Sequence, residues 1–203
     1  MDAGDWDTRY AAEPTLWGEG PNTVVAAMVE GLPPGRAVDL ACGNGRHAWW
    51  LANTGWHVTA VDFSATAIEH GRQRGAVTPG TVDWVVADAL HWEPAAPVDL
   101  VLVAYWQARA ADLVPALRRS IGWLAPGGRL LYLGHAFENH EHGVGGPTDP
   151  AVLPRVADLV EAAQGARVHA LHHVERTTDS GRAIDVLLLA SPWLAAPAVD
   201  ASG

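Results

Sequence analysis

The stretch AVDLACGNGRHAWWLA, residues 37–52, constrains the fold more than any other part of the chain. It reads as an apolar strand carrying one acid, Asp39, then a Cys-Gly-Asn-Gly turn, then a helix. Glycines at such a turn let backbone approach a ligand closely, because no Cβ stands in the way. A strand that feeds a helix in this way opens a β-α-β unit, and the rest of the chain repeats the rhythm. Strands are expected at 36–41, 57–61, 82–87, 98–104 and 128–134, with helical patterns at 22–30, 45–53, 65–73 and 110–124. Asn53-Thr54-Gly55 closes one helix, Ser64 caps the next, and Leu124-Ala125-Pro126-Gly127-Gly128 ends the last. Two further runs, 167–176 and 182–190, flank Thr177-Thr178-Asp179-Ser180-Gly181 and read as an antiparallel hairpin. The expected fold is α/β: a doubly wound, mostly parallel seven-stranded sheet with a C-terminal antiparallel hairpin and helices on both faces.

With 203 residues, 49% of them hydrophobic, the chain can build one well-buried domain and is too short for a second of ordinary size. That domain is expected to span 1–191, with 1–21 as an N-terminal lid, 135–154 as a loop on the substrate side and 192–203 as a frayed tail. A formal net charge of -10 and only 13 scattered Lys and Arg argue against nucleic-acid binding, which needs clustered cations. The single cysteine, Cys42, excludes an intrachain disulfide and fits a reducing compartment. The opening MDAGDWDTRY has no leader pattern, and no run approaches the ~20 apolar residues of a membrane span. The expectation is a soluble cytoplasmic protein with a small-molecule substrate and no nucleic-acid, membrane or obligate protein partner.

In an open sheet of this kind, ligands sit beyond the carboxyl ends of the strands, near the point where strand order reverses. Gly43 and Gly45 follow the first strand, Asp62 the second and Asp88 the third. A carboxylate about 20 residues beyond the glycines can accept both hydroxyls of a ribose. Gly43-Asn44-Gly45-Arg46-His47-Ala48 also satisfies the loose dinucleotide pattern, so a nicotinamide or flavin competes with S-adenosylmethionine. Three features favour the sulfonium cofactor: Asp39 inside the first strand, Ala41-Cys42 before the glycines, and Asp88 as a second acid for an adenine amino group. A pyrophosphate gains nothing from these carboxylates, whereas cationic amino and sulfonium groups do.

AVDLACGNGRHAWWLA, VTAVDFSATAIEHGR, VVADALHWEP, VDLVLVAYW and LAPGGRLLYLGH resemble the successive motifs of class I S-adenosylmethionine-dependent methyltransferases. The opening WDTRYAAEPTLWGEGPN and the later GHAFENHEHGVGGPTDP are similar to a bacterial small-molecule subgroup allied to tellurite-resistance and thiopurine methyltransferases. The resemblance implies a Rossmann-like methyltransferase fold and S-adenosylmethionine as cofactor. It further implies that Asp39, Ala41, Gly43 and Gly45 line the methionine and ribose, with Arg46 near the carboxylate. Asp62 would hold the ribose, with Phe63 against the adenine and Ser64 next in the same turn. Asp88 and Ala89 would meet the adenine edge, Ala104 and Tyr105 would lie beside the sulfonium, and Trp17 would fold over the site. Cys42 occupies the same turn and reads best as a small residue in a tight buried bend.

Many members of that subgroup methylate sulfur or another soft chalcogen, which makes a thiol the first acceptor to consider. A thiol is partly ionised at neutral pH and needs little help. A phenol or alcohol needs a base in contact, and His135, at the end of the fifth strand, is the candidate, with Tyr105 as the second catalytic residue. O- or N-methylation of a small aromatic metabolite is therefore the alternative acceptor chemistry, and a cofactor binder without catalysis is a third reading. Trp6, Arg9, Tyr10, Trp106, His135 and His140 are the expected substrate-side residues, with Arg9 suited to an anionic group. Trp49, Trp50, Trp84 and Trp123 fall in helix or strand patterns and read as core. No metal is expected: the H-x-x-x-x-H-x-H spacing from His135 through His140 to His142 matches no known ligand arrangement. Gly143, Gly145 and Gly146 suggest hinges in the loop over the substrate entrance.

Overall fold

A computed structural model describes residues 2–13, 18, 20–75 and 81–193. The elements run α1 (Ala3–Ala12), α2 (Thr23–Val29), β1 (Arg36–Leu40), α3 (Arg46–Asn53), β2 (His57–Asp62), α4 (Ala65–Gly75), β3 (Val82–Val86), β4 (Val98–Ala104), α5 (Ala110–Ile121), β5 (Leu124–His135), α6 (Asn139–His142), a 3₁₀ turn (Pro150–Val152), α7 (Val156–Ala162), β6 (Ala166–Thr178) and β7 (Gly181–Pro192). The seven strands form one sheet in the order β3-β2-β1-β4-β5-β7-β6. The first five pair in parallel, while β7 runs antiparallel to both β5 and β6. Strand order reverses between β1 and β4, so the crevice opens at their carboxyl ends. The central strands are buried on both faces and are accordingly apolar throughout, as in VLVA of β4 and LLYL of β5.

One face of the sheet packs α5 and α7 through Leu113, Leu117, Leu159 and Ala162 against Val101, Val103 and Tyr132. The other packs α2 and α3 through Val25, Val29, Ala48 and Leu51 against Leu100, Leu102 and Leu131. In α5 the apolar positions recur at helical spacing, so one stripe faces the sheet while Arg118 stays exposed.

Three local differences from the sequence expectation have physical causes. Helix α5 stops at Ile121, and β5 begins at Leu124 rather than at 128. Leu124 pairs with Val98 and the register then jumps to Leu100 with Arg129, so the turn chemistry of 125–128 forms an irregularity inside a strand. Helices α1 and α7 have no counterpart in the periodicity. Helix α1 buries only Tyr10, and its signal is the Asp2/Asp5 capping box, in which each carboxylate accepts the other's backbone N–H at 3.0 Å. The loop at 135–154 is pinned rather than hinged. Buried Asn139 donates to the Gly145 carbonyl (2.9 Å) and accepts from Ile184 N (2.6 Å). A Cβ on Gly143 would stand 2.0 Å from Asn139 Oδ1, so this glycine serves close packing. Strand β7 extends to Pro192, and the rest of the expected tail, 194–203, lies outside the described residues. Among the described residues no helix is long and apolar enough to cross a membrane.

Candidate active site

The carboxyl ends of β1 and β2 carry two buried acids. Asp39 is 1% exposed, and its Oδ2 has no hydrogen-bond partner among the described residues. Burial pushes this carboxyl up to about 7. The charge of Asp62 adds to the rise, while the Ala48 N–H and Arg46 oppose it. Asp62 accepts from Gly43 N at 2.8 Å through one oxygen and from Ser64 N at 2.9 Å through the other, tying β2 to the glycine turn. Its carboxyl is raised by burial, partly offset by those two N–H groups. Cys42 is buried beside both acids, and burial followed by their charges drives its thiol far from ionisation.

Among the described residues two non-glycines adopt positive φ, Ala41 at 57° and Tyr105 at 59°. They follow β1 and β4, the strands that flank the order reversal. Left-handed backbone costs an L-residue about 1–2 kcal/mol, and strain of this kind gathers where a site dictates the chain path.

The glycines of the turn make room for side chains of this protein. A Cβ on Gly45 would fall 2.2 Å from the Trp84 ring, and Gly71 meets the same indole at 2.4 Å. Gly45, expected to line the cofactor, is thus also a packing requirement of Trp84. A Cβ on Gly43 would lie 2.3 Å from the Tyr10 hydroxyl. Tyr10, expected on the substrate side, thus reaches the cofactor turn instead. Helix α1 is latched there because Asp7 Oδ1 accepts from Ser64 Oγ (2.5 Å) and Thr66 N (3.0 Å), bonds that hold its carboxyl below the usual range. Trp6 packs on Tyr10 with ring centroids 5.9 Å apart, and Arg9 stacks over Trp6 at 4.9 Å. Trp17 lies outside the described residues.

Phe63 follows Asp62 and is 36% exposed. Asp88, after β3, is exposed: its Oδ1 accepts from Leu90 N (2.9 Å) and its Oδ2 lies 3.1 Å from His91 Nδ1. Ala89 is buried, with its carbonyl accepting from Arg119. Ala104 ends β4, half-buried. Arg46 opens α3, where burial lowers its pKa while Tyr105 and Asp39 act to raise it.

The other half of the crevice comes from β5, β6 and β7. His135 and Asp185 are register partners across the β5/β7 pair, so both side chains emerge on one face. His135 Nδ1 lies 3.1 Å from Asp185 Oδ1, off line for a straight hydrogen bond. Asp185 is fully buried and also accepts from the Tyr105 hydroxyl (2.7 Å), from Arg176 Nε and from Arg176 Nη2 (3.3 Å). Burial would raise its carboxyl, but His135, Arg176 and Tyr105 together overcome this and hold it below the usual range. The Tyr105 hydroxyl in turn accepts from Asn22 Nδ2 at 2.9 Å. Asn22 caps α2 and donates its own N–H to His47 Nε2 at 3.2 Å. Burial and then Arg46 pull His47 down to about 3, so this imidazole stays neutral and accepts.

Tyr105 therefore differs from its expected catalytic role. Its hydroxyl is engaged as donor and acceptor, and burial followed by Asp185 raises its pKa, so the phenol braces the site and cannot serve as a base near neutral pH. Trp106 lines a cavity of about 10 Å³ with Tyr105, His135 and Leu153. His140 is exposed on α6 and joins none of these side-chain contacts, and among the described residues no three His, Cys, Asp or Glu converge as metal ligands. Asp185, Arg176, Asn22 and His47 were not singled out from the sequence. The available signal was Asp185, a lone acid in the apolar run AIDVLLLA, as Asp39 is in AVDLA.

The sheet order and the acids at its strand ends are the arrangement of the class I S-adenosylmethionine-dependent methyltransferase fold. A family model described as a methyltransferase domain matches residues 37–128. A trans-aconitate 2-methyltransferase from Streptomyces coelicolor is 37% identical over 123 residues, covering 54% of this chain and 38% of the relative. A ubiquinone biosynthesis O-methyltransferase from Caulobacter sp. (strain K31) is 35% identical over 109 residues, covering 50% and 40%. The chain thus matches about two fifths of the length of these curated relatives. The structure of TehB from Haemophilus influenzae superposes with a TM-score of 0.73 at 14% identity, over 93% of this chain and 67% of that one, a likeness of fold.

The residues present fit the cofactor. The unpartnered, buried Asp39 Oδ2 suits a cationic amino group, and each Asp62 oxygen keeps a lone pair for a ribose hydroxyl beyond its backbone bond.

Proposed function

We propose that the protein transfers a methyl group from S-adenosylmethionine to an oxygen of a small-molecule acceptor, with His135 as general base. The observation that carries this reading is the placement of His135 Nδ1 3.1 Å from the buried Asp185 carboxylate, with Nε2 on the opposite side of the ring as the nitrogen for the acceptor. A carboxylate behind an imidazole fixes its tautomer and offsets the charge it gains with a proton. A thiolate, first in line from the subgroup resemblance, needs no such pair and takes second place. The names of two relatives, one acting on trans-aconitate and one an O-methyltransferase, support a small acceptor and an oxygen nucleophile.

The cofactor supplies an electrophilic methyl on a sulfonium. The chain's own residues do the rest. Asp39 and Arg46 would hold the amino acid end, Asp62 the ribose, and Phe63, Asp88 and Ala89 the adenine. Tyr105, held by Asn22 and Asp185, fixes the end of β4 beside the reacting centre. His135 would take the acceptor's hydroxyl proton at Nε2 as the oxygen–methyl bond forms and the methyl–sulfur bond breaks. A Cβ on Gly146 would lie 2.8 Å from His135 Cδ2 and 3.1 Å from Nε2, so the glycine lets this backbone pass close over the imidazole and shield it from water.

The test is S-adenosylhomocysteine formation over a panel of hydroxy acids, phenols and thiols. His135→Ala should lower kcat on oxygen acceptors by about 10²–10⁴ with cofactor affinity unchanged in calorimetry. Turnover on thiols alone, indifferent to His135→Ala, would return the acceptor to sulfur; cofactor binding without turnover on any class would leave a binding protein.

A further inference from the structure

We propose that Arg176 binds a carboxylate carried by the acceptor, an inference that rests on the proposed methyl transfer and names the substrate class for the same site. Arg176 comes from β6 and spans the Asp185 carboxylate with Nε and Nη2. Its hydrogen bonds to Asp185 use Nε and Nη2, and Tyr105 beside it also favours its charged form. Asp185 is wholly buried while the Arg176 side chain keeps 25% exposure, so Arg176 leads from the buried carboxylate toward the accessible side of the crevice. The guanidinium carbon stands 5.6 Å over the Tyr105 ring, next to the imidazole that takes the proton. The fork of an arginine matches a planar carboxylate with two parallel N–H···O bonds.

Charge points the same way. One carboxylate, Asp185, faces both Arg176 and His135, and once His135 holds a proton two cations share it. An acceptor carboxylate on Arg176 cancels this excess at the step where it arises. Arg9, which the sequence suggested for such an anion, has its guanidinium stacked on Trp6.

The experiment is titration calorimetry on the full chain saturated with S-adenosylhomocysteine, using two acid–amide pairs: 4-hydroxybenzoate with 4-hydroxybenzamide, and fumarate with fumaramide. In the wild type at least one acid should bind 10-fold or more tighter than its amide. Arg176→Gln should erase that preference, and Arg176→Lys, which keeps the charge and loses the fork, should retain part of it. Circular dichroism checks that both variants fold, and the lysine variant serves if the glutamine one does not. Equal affinities within both pairs, no binding of either acid, or an acid preference that survives Arg176→Gln would each overturn the proposal. Because binding is read without turnover, a failure here is separate from a failure of His135→Ala to affect catalysis.

Discussion

Asp39, Gly43 and Asp62 reach the crevice because each lies at or just beyond the carboxyl end of a parallel strand, whereas His135, Asp185 and Arg176 reach it from a strand end, the middle of an antiparallel strand and the far arm of a hairpin. In the parallel half chain direction alone puts functional residues on one edge. In the antiparallel half cross-strand register does so. The two halves also carry charge differently. The cofactor half holds two acids that burial raises, one with an unpartnered oxygen, while the acceptor half holds a carboxylate saturated with donors. The first presents a buried carboxylate oxygen without a partner; in the second Tyr105 and Arg176 engage the carboxylate, and the His135 imidazole lies 3.1 Å from it.

This contrast can be broken experimentally, starting where the effect is largest. Asp185→Asn removes the charge that pairs with Arg176 and His135 deep in the sheet. It should cost about 3 kcal/mol or more in denaturant unfolding, since it strands a partly buried cation. A loss below 1 kcal/mol would mean that the acceptor half is no more tightly paired than the cofactor half. Asp62→Ala should weaken S-adenosylmethionine binding by on the order of 100-fold in calorimetry with the fold retained, because two hydrogen bonds to a charged acceptor are lost. Unchanged affinity would reject the ribose assignment.

Asp39→Asn tests the cofactor half through pH. The folded pKa of Asp39, about 7, lies above its unfolded value near 3.8. The stability it contributes is therefore full below pH 3.8 and is lost as pH rises through about 7. Without cofactor, Asp39→Asn should be more stable than wild type by up to about 4 kcal/mol at pH 8 and about equal to it at pH 3.5, while binding cofactor less well. Equal stability at pH 8 would show that Asp39 is not under strain. The smallest effect is expected for Ala41→Gly, which relieves the positive φ but loosens the unfolded chain. A net gain below about 1 kcal/mol, or a Tm rise of about 2 °C, should result. A destabilisation above 1 kcal/mol would mean that the Ala41 methyl contributes more than its backbone costs.

Legibility in the sequence divides along the same line. The parallel strands, the glycine turn and the acids after β1, β2 and β3 follow from patterns within about a dozen residues, and the resemblance rested on those stretches. The partners of Tyr105 do not, because Asn22 and Asp185 are 83 and 80 residues away from it in the chain. Helix α1 hid because it buries a single residue and makes little periodic signal. Glycine marks both freedom and close packing, and only the positions of Asn139 and His135 show that Gly143 and Gly146 are also required by close packing.

From its residues alone the chain determined its α/β class, the strand–turn–helix that begins the crevice and the carboxylates suited to a cationic cofactor, because these depend on local periodicity and chain direction. Tertiary structure decided which side chains face one another: Tyr10 against Gly43, Trp84 against Gly45, and His135 with Asp185, Tyr105 and Arg176. The physical reason is register. A slip of one residue between β5 and β7 would turn Asp185 to the opposite face of the sheet and leave His135 without its carboxylate, and no stretch of sequence around either residue records that pairing.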